Sequence, residues 1–68
     1  MYGDVSGDRS ISAYDASMAA RYAVGLISLT ATQIEAADVT DNGTVSATDA
    51  SWIARKAVNP SIVFPVEE

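Results

Sequence analysis

Cysteine and histidine are both absent from the 68 residues of this chain. Without cysteine there are no disulfides, no thiolate chemistry and no zinc–thiolate site. Without histidine the commonest general base and the commonest transition-metal ligand are gone. Basic residues are scarce as well: four Lys and Arg stand against nine Asp and Glu, for a net charge of −5. Nucleic-acid binding needs Lys and Arg gathered against phosphate, so that class is excluded. No apolar run approaches the roughly 20 residues of a membrane-spanning helix. What is present is a hydrophobic fraction of 49%, too high for a chain that stays disordered. The length allows one domain with a limited core, and such a domain usually needs a staple. With disulfides and zinc removed, the staple left by the composition is a hard cation held by oxygen. An acidic surplus often serves solubility alone; here the acids are clustered.

The clustering follows a repeat. Sliding the sequence by 34 places pairs Asp4–Val24 with Asp38–Val58, and eleven of the 21 positions are identical. They are Asp4/Asp38, Val5/Val39, Ser12/Ser46, Ala13/Ala47, Asp15/Asp49, Ala16/Ala50, Ser17/Ser51, Ala20/Ala54, Arg21/Arg55, Ala23/Ala57 and Val24/Val58. Ordinary residue frequencies would match about one or two. The chain is therefore a duplication, with repeat one over 4–25 and repeat two over 38–59. Each copy is a polar twelve-residue stretch that begins and ends with Asp, followed by an Ala-rich segment of helical spacing over Asp15–Val24 or Asp49–Val58. Gly25 suits a left-handed stop after the first helix, and Asn59-Pro60 ends the second. Between the copies, Thr30 with Gln33 reads as a capping box, with Leu29 and Ile34 as its staple, for a short linker helix over about 30–37. Thr32 with Glu35 is a competing start. Ser61–Glu68, with Pro65, reads as extended. The expected fold is all-α: two loop–helix repeats about a pseudo-two-fold, joined by the linker helix, with Val24, Leu26, Ile34, Ile53 and Val58 in the core.

The polar stretches have the pattern of calcium loops. Calcium takes six to eight oxygens at about 2.3–2.6 Å, which a tight loop supplies from positions 1, 3, 5, 7, 9 and 12. In the first copy these are Asp4, Ser6, Asp8, Ser10, Ser12 and Asp15; in the second, Asp38, Thr40, Asn42, Thr44, Ser46 and Asp49. Position 7 offers its backbone carbonyl, and every other position carries a side-chain oxygen in both copies. Two Ca²⁺ ions are the expected cofactors. Apolar Ile11 and Val45 fall at position 8, where paired loops join through a short strand contact. Position 6 takes a positive φ best met by Gly; Gly43 supplies it in the second loop, whereas Arg9 in the first costs on the order of 1 kcal/mol. Position 12 is Asp in place of the usual bidentate Glu, which draws the following helix closer to the ion. The alternative reading makes these stretches Asp/Ser/Thr turns, with Asp15 and Asp49 as metal-free N-caps.

A duplicated D-x-x-x-D/N-x-x-I/V-x-x-x-D loop running directly into one helix, with a linker helix between the copies, resembles the dockerin modules of cellulosomes. Only Met1-Tyr2-Gly3 stand before Asp4 here, so the first copy reads as loop–helix where ordinary EF-hands are helix–loop–helix. The resemblance spans about residues 3–65. It implies a cohesin partner, a β-sandwich module on a scaffolding protein or cell-surface anchor. It also implies bacterial secretion to the extracellular space, attachment to a larger enzyme or scaffoldin of plant-polysaccharide degradation, and no catalysis by the module.

The same resemblance places partner recognition at loop positions 10 and 11 and along one face of each helix. By position these are Ala13, Tyr14, Ser17, Met18, Arg21 and Tyr22 in the first copy, and Ala47, Thr48, Ser51, Trp52, Arg55 and Lys56 in the second. Ala-Tyr and Ala-Thr replace the Ser-Thr frequent in one large subgroup, which implies a more hydrophobic interface anchored on Tyr14, Met18 and Trp52. Spacing alone equally allows Met18 and Trp52 to be core. The pairing of the copies further suggests that either could face the cohesin after a 180° rotation. Two other classes stay open at this level: a calcium sensor, which opens paired helix–loop–helix units, and a small carboxylate enzyme, for which the Asp residues are already engaged as ligands.

Overall fold

The computed structural model of the chain describes residues 2–67. Three helices follow one another: α1 (Ala13–Ala23), α2 (Ala31–Ala37) and α3 (Ala47–Val58), with a 3-10 turn over Pro65–Glu67. No strand forms among the described residues. The fold is all-α, as the repeat implies: α1 packs on α3, and α2 lies against α3.

Both repeat helices begin two residues before their Asp. Ser12 and Ser46 are the N-caps, in extended backbone at φ −140° and −133°, so Asp15 and Asp49 occupy the third helical position and are not N-caps. That placement leaves little extended backbone between position 8 and the helix. Ile11 and Val45 accordingly make no strand contact; their side chains lie half-buried against the core. The stop at Gly25 is a Schellman turn: φ is +81°, Leu26 N–H donates to Arg21 O at 2.9 Å and Gly25 N–H to Tyr22 O at 3.0 Å. The linker helix starts at the Thr30/Gln33 box. Gln33 N–H donates to Thr30 Oγ1 at 3.2 Å and Thr30 N–H to Gln33 Oε1 at 2.9 Å, which excludes the Thr32 start.

Val5, Ala19, Ala37, Val39, Ala50, Ile53 and Phe64 form the core. Ile53 belongs to it as expected and Ile34 is half-buried, but Val24, Leu26 and Val58 are 72%, 72% and 87% exposed. Val24 caps α1, Leu26 follows its stop and Val58 closes α3, so all three sit past the surface that the helices share. The places expected of them are filled by the valines at loop position 2 and by Phe64. The C-terminal segment is likewise not simply extended. Phe64 turns inward, Glu67 N–H donates back to Phe64 O at 2.9 Å, and Val66 N–H donates to Val39 O at 2.9 Å. Lys56 Nζ lies 4.7 Å from the Phe64 ring centroid and 3.6 Å from Glu67 Oε1. Gly3, at φ +87°, packs flat under the Phe64 ring, and its N–H donates to Ala36 O at 2.7 Å.

A Cβ at Gly3 would stand 2.8 Å from two Phe64 ring carbons. Phe64→Ala should lower stability by about 3–5 kcal/mol through the cavity it leaves. Gly3→Ala should cost about 2 kcal/mol or more, from the left-handed backbone and the displaced ring together. Urea unfolding at saturating calcium measures both, and a Gly3→Ala variant as stable as the parent would contradict this packing.

Candidate calcium loops and recognition faces

The two loops share the hydrogen bonds that wind and close them. At position 12, Asp15 and Asp49 are fully buried, and each carboxylate closes its loop by accepting two backbone N–H groups. Ser6 N–H donates to Asp15 Oδ1 and Ser12 N–H to Asp15 Oδ2, both at 2.9 Å. Thr40 N–H donates to Asp49 Oδ1 at 3.2 Å and Ser46 N–H to Asp49 Oδ2 at 2.8 Å. At position 1, Asp4 Oδ2 accepts from Arg9 N–H at 2.8 Å, and Asp38 Oδ2 accepts from Gly43 N–H at 3.1 Å. At position 5, Asp8 and Asn42 accept from Ser10 N–H at 3.0 Å and Thr44 N–H at 3.1 Å. Positions 3 to 5 differ: Gly7 N–H donates to Asp4 Oδ1 at 3.0 Å in the first loop, whereas Asn42 N–H donates to Asp38 Oδ1 at 3.3 Å in the second. Thr40 Oγ1 donates to Asp49 at 2.8 Å, while Ser6 Oγ reaches Asp4 at 3.5 Å.

Carboxylate oxygens of Asp4, Asp8 and Asp15 come within 4.8 Å of one another. The second loop offers Asp38 and Asp49, with Asn42 where the first has Asp8. Such a donor set is all hard oxygen, with no nitrogen or sulfur ligand, and it suits calcium. At Asp4 burial raises the pKa, but hydrogen bonds from the Arg9 and Gly7 backbones and with Asp8 outweigh it and leave the net shift downward. Asp4 therefore keeps its charge to lower pH than an ordinary carboxyl. The stability it contributes is present above the unfolded pKa and is lost as pH falls through the depressed folded one.

Backbone handedness shows a regularity that the sequence reading caught only in part. Positions 4 and 6 both have positive φ in both loops: +80° at Gly7 and +68° at Arg9, then +56° at Asp41 and +86° at Gly43. One glycine serves each loop, but at position 4 in the first and position 6 in the second.

The residues expected to meet a partner lie along α1 and α3. Ala13, Tyr14, Ser17, Ala47, Thr48, Ser51 and Arg55 are exposed, Tyr14 to 59%, and Met18, Arg21, Tyr22, Trp52 and Lys56 are half-buried. Met18 and Trp52 pack against the core with part of their surface, so each is both core and surface. The faces differ in how their cations are held. Arg55 stacks over the Trp52 ring at 5.3 Å and Lys56 is tied to the C-terminal turn, whereas Arg21 Nε donates back to Ser17 O of its own helix at 3.4 Å. Sequence reasoning passed over Val5, Val39, Gly3 and Phe64. The Val5/Val39 identity was the available signal for the first two, while nothing local marks Gly3 and Phe64 as partners 61 residues apart.

A pair of matched acidic loops, each delivering one helix to a common core, defines a duplicated loop–helix module of the calcium-loop class. The family model of the dockerin type I domain matches residues 2–56, and the chain belongs to that family. Its modules are non-catalytic interaction domains that bind calcium. Among solved structures, the chain is similar to a ScaB dockerin from Acetivibrio cellulolyticus at 34% identity and a TM-score of 0.92, covering 100% of this chain and 96% of that one. That dockerin, altered in its C-terminal helix (IN to SI), is in complex with the third cohesin of ScaC and displays a type I interaction. A second structure, of the ScaB dockerin altered instead in the N-terminal helix (IN to SI), matches at 33% identity and a TM-score of 0.90, covering 98% of this chain and 94% of that one, and is also in complex with that cohesin in a type I interaction. No curated protein matches.

A Cβ at Gly7 or Gly43 would meet nothing within 4 Å, so substitution there tests backbone alone. Gly7→Ala and Gly43→Ala should each cost about 1–2 kcal/mol. Asp41→Gly should stay within about 0.5 kcal/mol of the parent, because Asp tolerates this conformation and Gly loosens the unfolded chain. Thermal unfolding with calcium present distinguishes the two outcomes.

Proposed function

We propose that this chain is a calcium-dependent adaptor that folds around two Ca²⁺ ions and plugs into a cohesin, anchoring its parent polypeptide in an extracellular cellulosome. One ion is held by Asp4, Ser6, Asp8, Ser12 and Asp15 with the Ser10 carbonyl. The other is held by Asp38, Thr40, Asn42, Ser46 and Asp49 with the Thr44 carbonyl. The observation that carries the reading is the convergence of three carboxylates within 4.8 Å in a loop whose hydrogen bonds at positions 1, 5 and 12 recur 34 residues later. Like charges this close repel, by about 1 kcal/mol per pair in water and more near a protein surface. A bound divalent cation turns that repulsion into attraction and supplies folding free energy that so small an apolar core lacks.

The chain's own residues then do the recognition. The position-12 carboxylates fix the start of α1 and α3, and these helices present Tyr14, Ser17, Met18 and Arg21 on one face and Thr48, Ser51, Trp52 and Arg55 on the other. Aromatic, Met and Arg side chains on a half-exposed helix face are the composition expected of an interface centre. Two forms of one related dockerin, each altered in a different helix, are both in complex with their cohesin in a type I interaction. This supports use of either face here. The parent is a secreted enzyme or scaffoldin.

Calorimetry should give a stoichiometry of two calcium ions, with helical circular dichroism weakened in chelator. Fewer than two ions, or a helical signal indifferent to chelator, would remove the calcium reading. Pull-down against a cohesin panel should give a calcium-dependent complex. Altering Tyr14 and Arg21 to Ala, or Trp52 and Arg55 to Ala, should weaken it less than about tenfold, and altering all four more than a hundredfold. Complete loss from one pair alone would leave a single orientation.

A further inference from the structure

Position 2 of each loop is a valine, Val5 or Val39, 1% and 0% exposed, and its carbonyl is satisfied from outside the repeat. Val39 O accepts the Val66 N–H at 2.9 Å, whereas Val5 O accepts the Gln33 side-chain N–H at 3.2 Å. The duplicated loops thus share an acceptor and differ in its donor: backbone of the C-terminal turn for the second, a side chain of α2 for the first. The carbonyl stands between positions 1 and 3, so holding it sets the direction of Asp4 and Ser6 on either side. Gln33 is itself fixed, because its Oε1 accepts from Thr30 N–H at 2.9 Å while its amide N–H points to Val5. An N-terminal box needs only an acceptor at this position, which Glu provides equally well. Only an amide can accept from Thr30 and donate to Val5 together.

We infer that Gln33 is a positioning residue for the first calcium loop and not the second, its side-chain amide holding at Val5 the carbonyl that the Val66 N–H holds at Val39. This rests on the calcium reading above. Each loop carries one glycine, and each glycine amide donates to a position-1 carboxylate, Gly7 to Asp4 at 3.0 Å and Gly43 to Asp38 at 3.1 Å. Their amide signals report the two loops separately in a calcium titration followed by ¹⁵N-edited NMR. Gln33→Glu keeps the box and removes the donor. Its added negative charge favours calcium, so any loss of affinity comes against that bias. Gln33→Met removes the donor without charge.

Both variants should raise the calcium midpoint read at Gly7 about three- to tenfold and leave the Gly43 midpoint within about twofold, a selectivity that general destabilisation would not produce. Equal shifts at both glycines, or no shift at either, would overturn the assignment. A shift in Gln33→Met without one in Gln33→Glu would overturn it too, since the box and not the Val5 bond would then be responsible. Absence of any calcium response in the parent chain would overturn the calcium reading itself.

Discussion

Asp15 and Asp49 are fully buried and lie in the first turn of their helices, and each carboxylate bridges position 3 of its loop to position 9. Those bonds tie each loop to the helix that follows it. A buried carboxylate is tolerable only where donors surround it, and among the described residues no buried side-chain oxygen or nitrogen lacks a partner. The position-12 Asp is therefore at once a helix-start acceptor, the closure of a twelve-residue ring and a candidate metal ligand. The shorter reach of Asp compared with Glu fits this triple use, since it keeps the helix start directly against the loop.

From that closure the remaining packing follows. Once the loop is wound, its position-2 valine points into the interior, and Val5 and Val39 join Ala19, Ala50 and Ile53 there. Small residues where the helices meet let α1 and α3 approach closely. Phe64 then fills the remaining space from the far end of the chain, over Gly3. The module is stapled twice: by oxygen-rich loops that suit a cation, and by an aromatic ring that joins sequence-distant ends.

Much of this was legible in the residues. The 34-residue offset gave two equivalent units, the alternating oxygens gave the loops, and Thr30 with Gln33 gave the start of α2. What sequence reading missed was non-local or chemically ambiguous. Asp15 reads as position 12 of the loop, with an N-cap as the alternative; Ser12 three residues earlier takes the cap, and the Asp15 carboxylate closes the loop. Val24, Leu26 and Val58 look like core by hydrophobicity, but helix length decides burial, and these lie past the shared surface. Phe64 and Gly3 become partners only in three dimensions.

The exchange of glycine between positions 4 and 6 bears on how the halves could recombine. Replacing one entire loop with the other preserves one glycine per loop. A crossover between Gly7 and Arg9, aligned on Asp41 and Gly43, does not. One product inherits two glycines; the other inherits Asp and Arg at two left-handed positions and carries the strain of both. Homogenisation of the duplicate is thus free wherever positions 4 and 6 travel together, and a crossover between them yields one product with a conformational cost that neither parental loop reveals.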